Sequence, residues 1–151
     1  MHRTRRFLLL LCALAAAVFC LWLPRRVRTS IRASDAVTVS AYAVIGLQRT
    51  EEPHSVTLTA DDPLYTEISD LLKNVLWLPS LNQGIVSLGS RSSEFSILYG
   101  SAQSDELYLR ITVTDSGHCQ IDGKNVLALS VHSSGKKLYQ ALRELVESSL
   151  H

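Results

Sequence analysis

Past residue 34 the sequence contains one cysteine, Cys119, so no disulfide can close within that stretch. Its stability has to come from a packed core, and roughly 115 residues suffice for that without covalent staples. A lone thiol of this kind is either buried and inert or open to pairing between molecules. No acidic side chain precedes Asp35, whereas arginine stands at positions 3, 5, 6, 25, 26, 28 and 32. From Asp35 onward four lysines and four arginines face seven aspartates and seven glutamates, a net side-chain charge of −6. That balance argues against a nucleic-acid partner, since such a domain would have to bind phosphates against its own repulsion.

The 17 residues from Phe7 to Leu23 carry no charge and are almost wholly apolar. As a helix they reach ~25 Å, against ~30 Å for a bilayer core. Two fates fit this run. A secretory signal uses Arg3, Arg5 and Arg6 as its basic start and Ala15, Ala16 and Ala17 as a cleavage site, but leaves Val18 to Leu23 as a greasy mature end. An uncleaved anchor uses the whole run, sets Trp22 at the interface and lets Pro24 end the helix before Arg25 and Arg26. The anchor is the better fit. Arginines on both sides leave the free amino terminus and His2 to tip the N-terminus toward the cytoplasm. Large residues before Cys12 and Cys20 spoil a lipoprotein signal, and TRRFLL (4–9) matches a twin-arginine signal only in part.

The chain therefore divides into a signal anchor or signal peptide (1–23), a basic tether (24–35) and an extracytoplasmic domain (36–151). In the domain, AVTVSAYAVIGL (36–47) alternates apolar and polar residues in the manner of a strand covered on one side. SVTLT (55–59) is a second strand. Asp61, Asp62 and Pro63 open a helix whose Leu64, Ile68, Leu71, Leu72 and Val75 recur at helical spacing. From Trp77 to Ser93 the chain reads as a long loop with room for one short strand. EFSILYG (94–100) and ELYLRITVT (106–114) form a hairpin, HCQI meets VLALSV (126–131) across an Asp122-Gly123 turn, and Ser133 or Ser134 caps a last amphipathic helix. The expected fold is α+β: one antiparallel sheet of about five or six strands, two helices on one face, and a preceding hydrophobic helix.

The order of strand, DDPLYTEISDLLKN, hairpin and IDGKNVLALS with a terminal helix, behind an apolar segment, resembles the small exported domains of Gram-positive bacteria of the YhfM-like group. The likeness covers roughly residues 50 to 150. It implies a location in the cell envelope and brings no catalytic residue with it.

Chemical motifs are sparse. Ser133 and Ser134 each precede a lysine by three residues, the spacing of penicillin-recognising serine enzymes, but S-D-N and K-T-G are absent. Gly135-Lys136 lacks the earlier glycine and following hydroxyl of a phosphate loop. His54, His118 and His132 are scattered, so a metal or hydrolytic site with Asp61 or Ser134 would have to be assembled by folding. No cofactor is expected. What is left is surface. Thr38, Ser40, Tyr42, Tyr108, Arg110 and Thr112 fall on the strand face away from the helices, a set suited to an envelope protein or a glycan. The same residue types also suit ordinary cross-strand pairing. Trp77, with Leu78, Leu81 and Ile85, is either a second exposed contact or a lid on the core. The sequence thus favours a non-catalytic binding or regulatory module held by residues 7–23, with Tyr42, Tyr108, Arg110 and Trp77 as candidate contacts. A small secreted hydrolase or metal enzyme and a structural assembly subunit are the alternatives.

Overall fold

The computed structural model describes residues 2–45, 48–49, 54–80, 91–129 and 134–149. Its first element is a single helix, α1 (His2–Ala33), which continues past Pro24. Proline inside a helix costs about 3 kcal/mol, because it offers no N–H and crowds the preceding turn. Packing on either side of the proline offsets that cost. Leu23, Val27 and Ile31, spaced four apart on one face, are all buried in the domain core, and burial of each aliphatic side chain contributes roughly 1.5–3 kcal/mol. Residues 24–33 are therefore a packed helix, which corrects the expectation that α1 ends at Pro24 and that 24–35 is a basic tether. The arginines that suggested it occupy the solvent side of the same turns, with Arg25, Arg28 and Arg32 exposed.

Among the described residues an eight-stranded antiparallel sheet comes next in the chain, larger than expected. Its strands are β1 (Ala36–Ile45), β2 (Gln48–Arg49), β3 (His54–Thr59), β4 (Leu76–Pro79), β5 (Arg91–Gly100), β6 (Leu107–Thr114), β7 (Cys119–Ile121) and β8 (Lys124–Leu129). The order across the sheet is β2-β1-β5-β6-β7-β8-β4, with β3 beside β2 on the same edge of β1. The extra strands are short ones at the two edges. Asp122 and Gly123 have φ of 48° and 77°, the left-handed geometry that a two-residue hairpin turn demands of both central positions.

Two further helices are α2 (Pro63–Lys73) and α3 (Gly135–Ser149). Asp62 is the N-cap of α2, accepting the Leu64 N–H at 2.8 Å, and Pro63 sits where its missing N–H costs nothing. Gly135 is required at the start of α3 by close backbone approach: a Cβ there would collide with the Gly117 carbonyl of the β6–β7 turn. One sheet face is closed by all three helices. Val37, Val39, Phe95, Ile97, Tyr99, Leu109, Ile111, Val113, Trp77 and Ile121 from the strands join Ile68, Leu72, Leu138 and Leu142 from α2 and α3 in one core.

The helices α1 and α2 run antiparallel and satisfy each other's ends. Four C-terminal carbonyls of any helix lack intrahelical donors. Here the Tyr65 hydroxyl, near the start of α2, donates to the Ser34 and Ile31 carbonyls at 2.8 and 3.4 Å. At the other end Arg28 Nε donates to the Lys73 carbonyl at 3.1 Å, and Trp77 Nε1 to that of Leu72 at 3.1 Å. Asp122 ties α1 to the sheet: its carboxylate accepts from Arg26 Nη2 at 2.5 Å and from the Arg110 N–H at 2.9 Å. In the full-length protein held in mild detergent, Ile31→Ala is expected to lower unfolding stability by about 2–4 kcal/mol, and Thr29→Ala on the exposed side by under about 0.5 kcal/mol. Chemical unfolding monitored by circular dichroism measures both, and equal, negligible effects would mean that α1 does not belong to the core.

Candidate functional site

The sheet face turned away from the helices is built by strand register. Alternation sends Val37, Val39 and Ala41 inward, so Thr38, Ser40 and Tyr42 fall on the opposite face, where Thr38 and Tyr42 are half-buried and Ser40, like Ser96 beside it, is buried between its neighbours. Pairing then lines up Thr57, Thr38, Leu98 and Arg110 in one row, and Ser55, Ser40, Ser96 and Thr112 in the next. Hydroxyls pair directly across β1 and β3, Thr38 with Thr57 at 2.9 Å and Ser40 with Ser55 at 2.8 Å. Much of the polar set is thus engaged in cross-strand bonding.

The four candidate contacts do not form one cluster. Arg110 is exposed, and its backbone N–H and carbonyl are both held by Asp122, through Oδ1 and N–H respectively. Tyr108, half-buried two residues away, donates to Glu106 Oε2 at 3.3 Å. Burial first, and the Glu106 charge second, raise its phenol above the ordinary value. Tyr42 pairs in register with Glu94, in the row of Thr114, four positions along β6 from Arg110. That is ~16 Å away, allowing two strand spacings and four residue rises. Trp77 is corrected outright. It is fully buried in β4 and its indole N–H is bonded to a helix carbonyl, so it closes the core and presents nothing to a partner. Its proposed companions Leu81 and Ile85 lie outside the described residues.

A cleft of about 480 Å³ opens between α3 and the strands β1, β3 and β5, on the helix side of the sheet. Val39, Ala41, Val56 and Phe95 line its floor, with Tyr42, His54 and the Arg143–Glu147 pair (2.6 Å) at its rim. A shallower hollow of about 540 Å³ lies between Thr38, Leu98 and the 101–107 segment.

Among the described residues the dispersed histidines, Asp61 and Ser134 do not assemble into a cluster. His54 is on β3, His118 precedes β7 and lies 3.5 Å from the Gln120 side-chain amide, and Ser134 is exposed before α3. Asp61 is exposed beside the capping Asp62, and His132 and Ser133 lie outside the described residues. Among the described residues no group of three His, Cys, Asp or Glu side chains is placed to hold a metal ion.

The residues that sequence reading missed are apolar. Leu76 pairs with Leu129 and Leu78 with Leu127 across β4 and β8, and all four face outward because Trp77, Val126 and Ala128 face in. Leu76, Leu127 and Leu129 are 44%, 51% and 44% exposed. The signal was present in VLALSV, where an unbroken apolar run, rather than an alternating one, marks a strand that wants cover on both faces. Comparison with family models, with curated proteins and with solved structures returns no match.

Cys119 is buried among the inward residues at the β6–β7 corner, and burial pushes its thiol from an ordinary value of 9.0 to about 11. Because the folded value is the higher one, stability present below pH 9 is lost as pH rises toward 11, by roughly 2–3 kcal/mol. Cys119→Val is expected to flatten that part of the profile, and iodoacetamide at pH 8 to spare Cys119 until the protein is unfolded. Peptide mapping and pH-dependent unfolding check both, and ready alkylation of the native thiol would contradict the packing.

Proposed function

We propose that this chain is a non-catalytic, single-pass module of the bacterial cell envelope, anchored by residues 7–23, which presents the open face of its sheet to an envelope protein or glycan. One observation carries the reading. Helix α1 leaves its last three turns in the core and projects the rest, so that Phe7, Leu10, Leu11, Leu14, Val18 and Trp22 are between 51% and 69% exposed. Large apolar side chains at such density on a bare helix call for a covering phase, and a bilayer is the one matched to a 17-residue uncharged run.

Among the described residues no helix is long and apolar enough to cross a membrane. Side chains 8, 9, 16 and 19–21, six members of the apolar run, lie outside that set, so the reading rests on the complete sequence. The resemblance to YhfM-like exported domains agrees with an envelope location. For recognition, Tyr108 and Arg110 are the residues to weigh, since an aromatic donor and an exposed guanidinium beside rows of hydroxyls suit a polar, hydrogen-bonding partner.

A photocrosslinking residue at position 108 in intact cells is expected to capture a partner that Arg110→Glu abolishes, with the anchored protein recovered from membranes at its uncleaved mass. Recovery of a form trimmed near Ala17 would replace the anchor with a secreted protein. Capture that is indifferent to Arg110→Glu, or no capture at all, would remove the face as a contact surface.

A further inference from the structure

The four outward leucines of β4 and β8 are unexplained by the polar recognition face, and their position relative to α1 gives them a role. Helix α1 enters the domain beside this edge. Its residues pack on β4, Arg26 bonds Asp122 in the β7–β8 turn, and Arg28 bonds Lys73, three residues before β4 begins. From there the helix proceeds toward Tyr65 and ends against Gly100, whose carbonyl accepts the Asp35 N–H at 3.2 Å. The apolar part that precedes Leu23 accordingly departs on the β4 and β8 side of the sheet. The residues at the point of departure are those found at a bilayer surface. Trp22 is exposed with Arg26 stacked 5.6 Å over its ring, and Arg25 and Arg28 are exposed next to it.

We infer that the β4–β8 leucine surface, Leu76, Leu78, Leu127 and Leu129, rests on the lipid bilayer, and that the basic turn at Arg25 to Arg28 sits against anionic headgroups. This rests on the anchor reading above and adds an orientation to it: the domain lies edge-down, with the edge strand β4 toward the membrane and the β1–β3 edge of the sheet leading away from it. The chemistry is apolar side chains entering ~5–10 Å into the headgroup and acyl boundary while cations stay at phosphate level. Withdrawing the exposed half of one leucine from water favours contact by roughly five-fold. That is weak for a free domain. With α1 in the bilayer the contact is intramolecular, so the local concentration of membrane is already high and weak contacts suffice.

The test uses the full-length chain with Cys12→Ser and Cys20→Ser, reconstituted in vesicles of phosphatidylcholine and phosphatidylglycerol. An environment-sensitive dye is attached at Leu127→Cys, or at Thr112→Cys as a control on the same face away from the edge. The expected result is a blue-shifted emission at 127, quenched by brominated acyl chains, with neither effect at 112. Protein that floats with the vesicles yet gives the same unshifted emission at 127 as in detergent overturns the inference while leaving the anchor intact. A shift at 127 that grows with the protein-to-lipid ratio also overturns it, because a second copy then covers the leucines. Failure to float with the vesicles sinks the anchor reading, and this inference with it.

Discussion

Burial of Leu23, Val27 and Ile31 is the contact on which the rest of this architecture depends. Three side chains at four-residue spacing make the C-terminal part of α1 a member of the domain, and they do so strongly enough to carry the helix through Pro24. The consequences spread outward. Once α1 lies along α2, Tyr65 and Arg28 can satisfy the carbonyl ends of the opposite helix, and Asp122 can hold both Arg26 and the β6 backbone. Tyr65 also meets Tyr99 edge-on at 6.2 Å, and the Tyr99 hydroxyl shares a bond with Ser69 at 3.1 Å, so the helix pair is fixed to the centre of the sheet. The projecting apolar segment and the folded body are joined by one continuous helix.

That continuity bears on what the two sheet faces can be used for. The inner face is closed by three helices, whereas the outer one carries hydroxyl rows and the Arg110 region toward one end and four leucines at the β4–β8 edge. A flexible tether would let such a domain tumble and present any surface at random. A helix fixed in the core instead assigns each part of the surface a direction relative to whatever holds the apolar segment. On the proposed reading this is the use of the device: the membrane sets the orientation, and the polar rows face the partner.

Much of the fold was legible in the sequence because local signals agreed with one another. Asp62-Pro63 before an apolar stripe gave α2, Asp122-Gly123 between short apolar runs gave the β7–β8 hairpin, and strict alternation in β1 and β6 gave the two faces. The outward rows with Thr38, Ser40, Arg110 and Thr112 came directly from that alternation. What was hidden was hidden for physical reasons. The stripe at 23, 27 and 31 is only one residue wide and lies among four arginines, so the segment reads as polar although its periodicity is intact. Strand β4 is four residues long and contains Pro79, which an edge strand tolerates and a sequence pattern penalises. That left Trp77 open between an exposed contact and a lid on the core. A tryptophan in a supposed loop can be either, whereas the same tryptophan in an edge strand, bonded to a helix carbonyl, is core.

Amide hydrogen exchange across residues 23–33 of the full-length protein tests the central claim most directly. If α1 is part of the core, amides from Val27 to Ile31 exchange as slowly as those of α2 and are released only with global unfolding. Exchange on the timescale of an unprotected chain in that segment, with α2 still protected, would contradict the account and restore a loose linker.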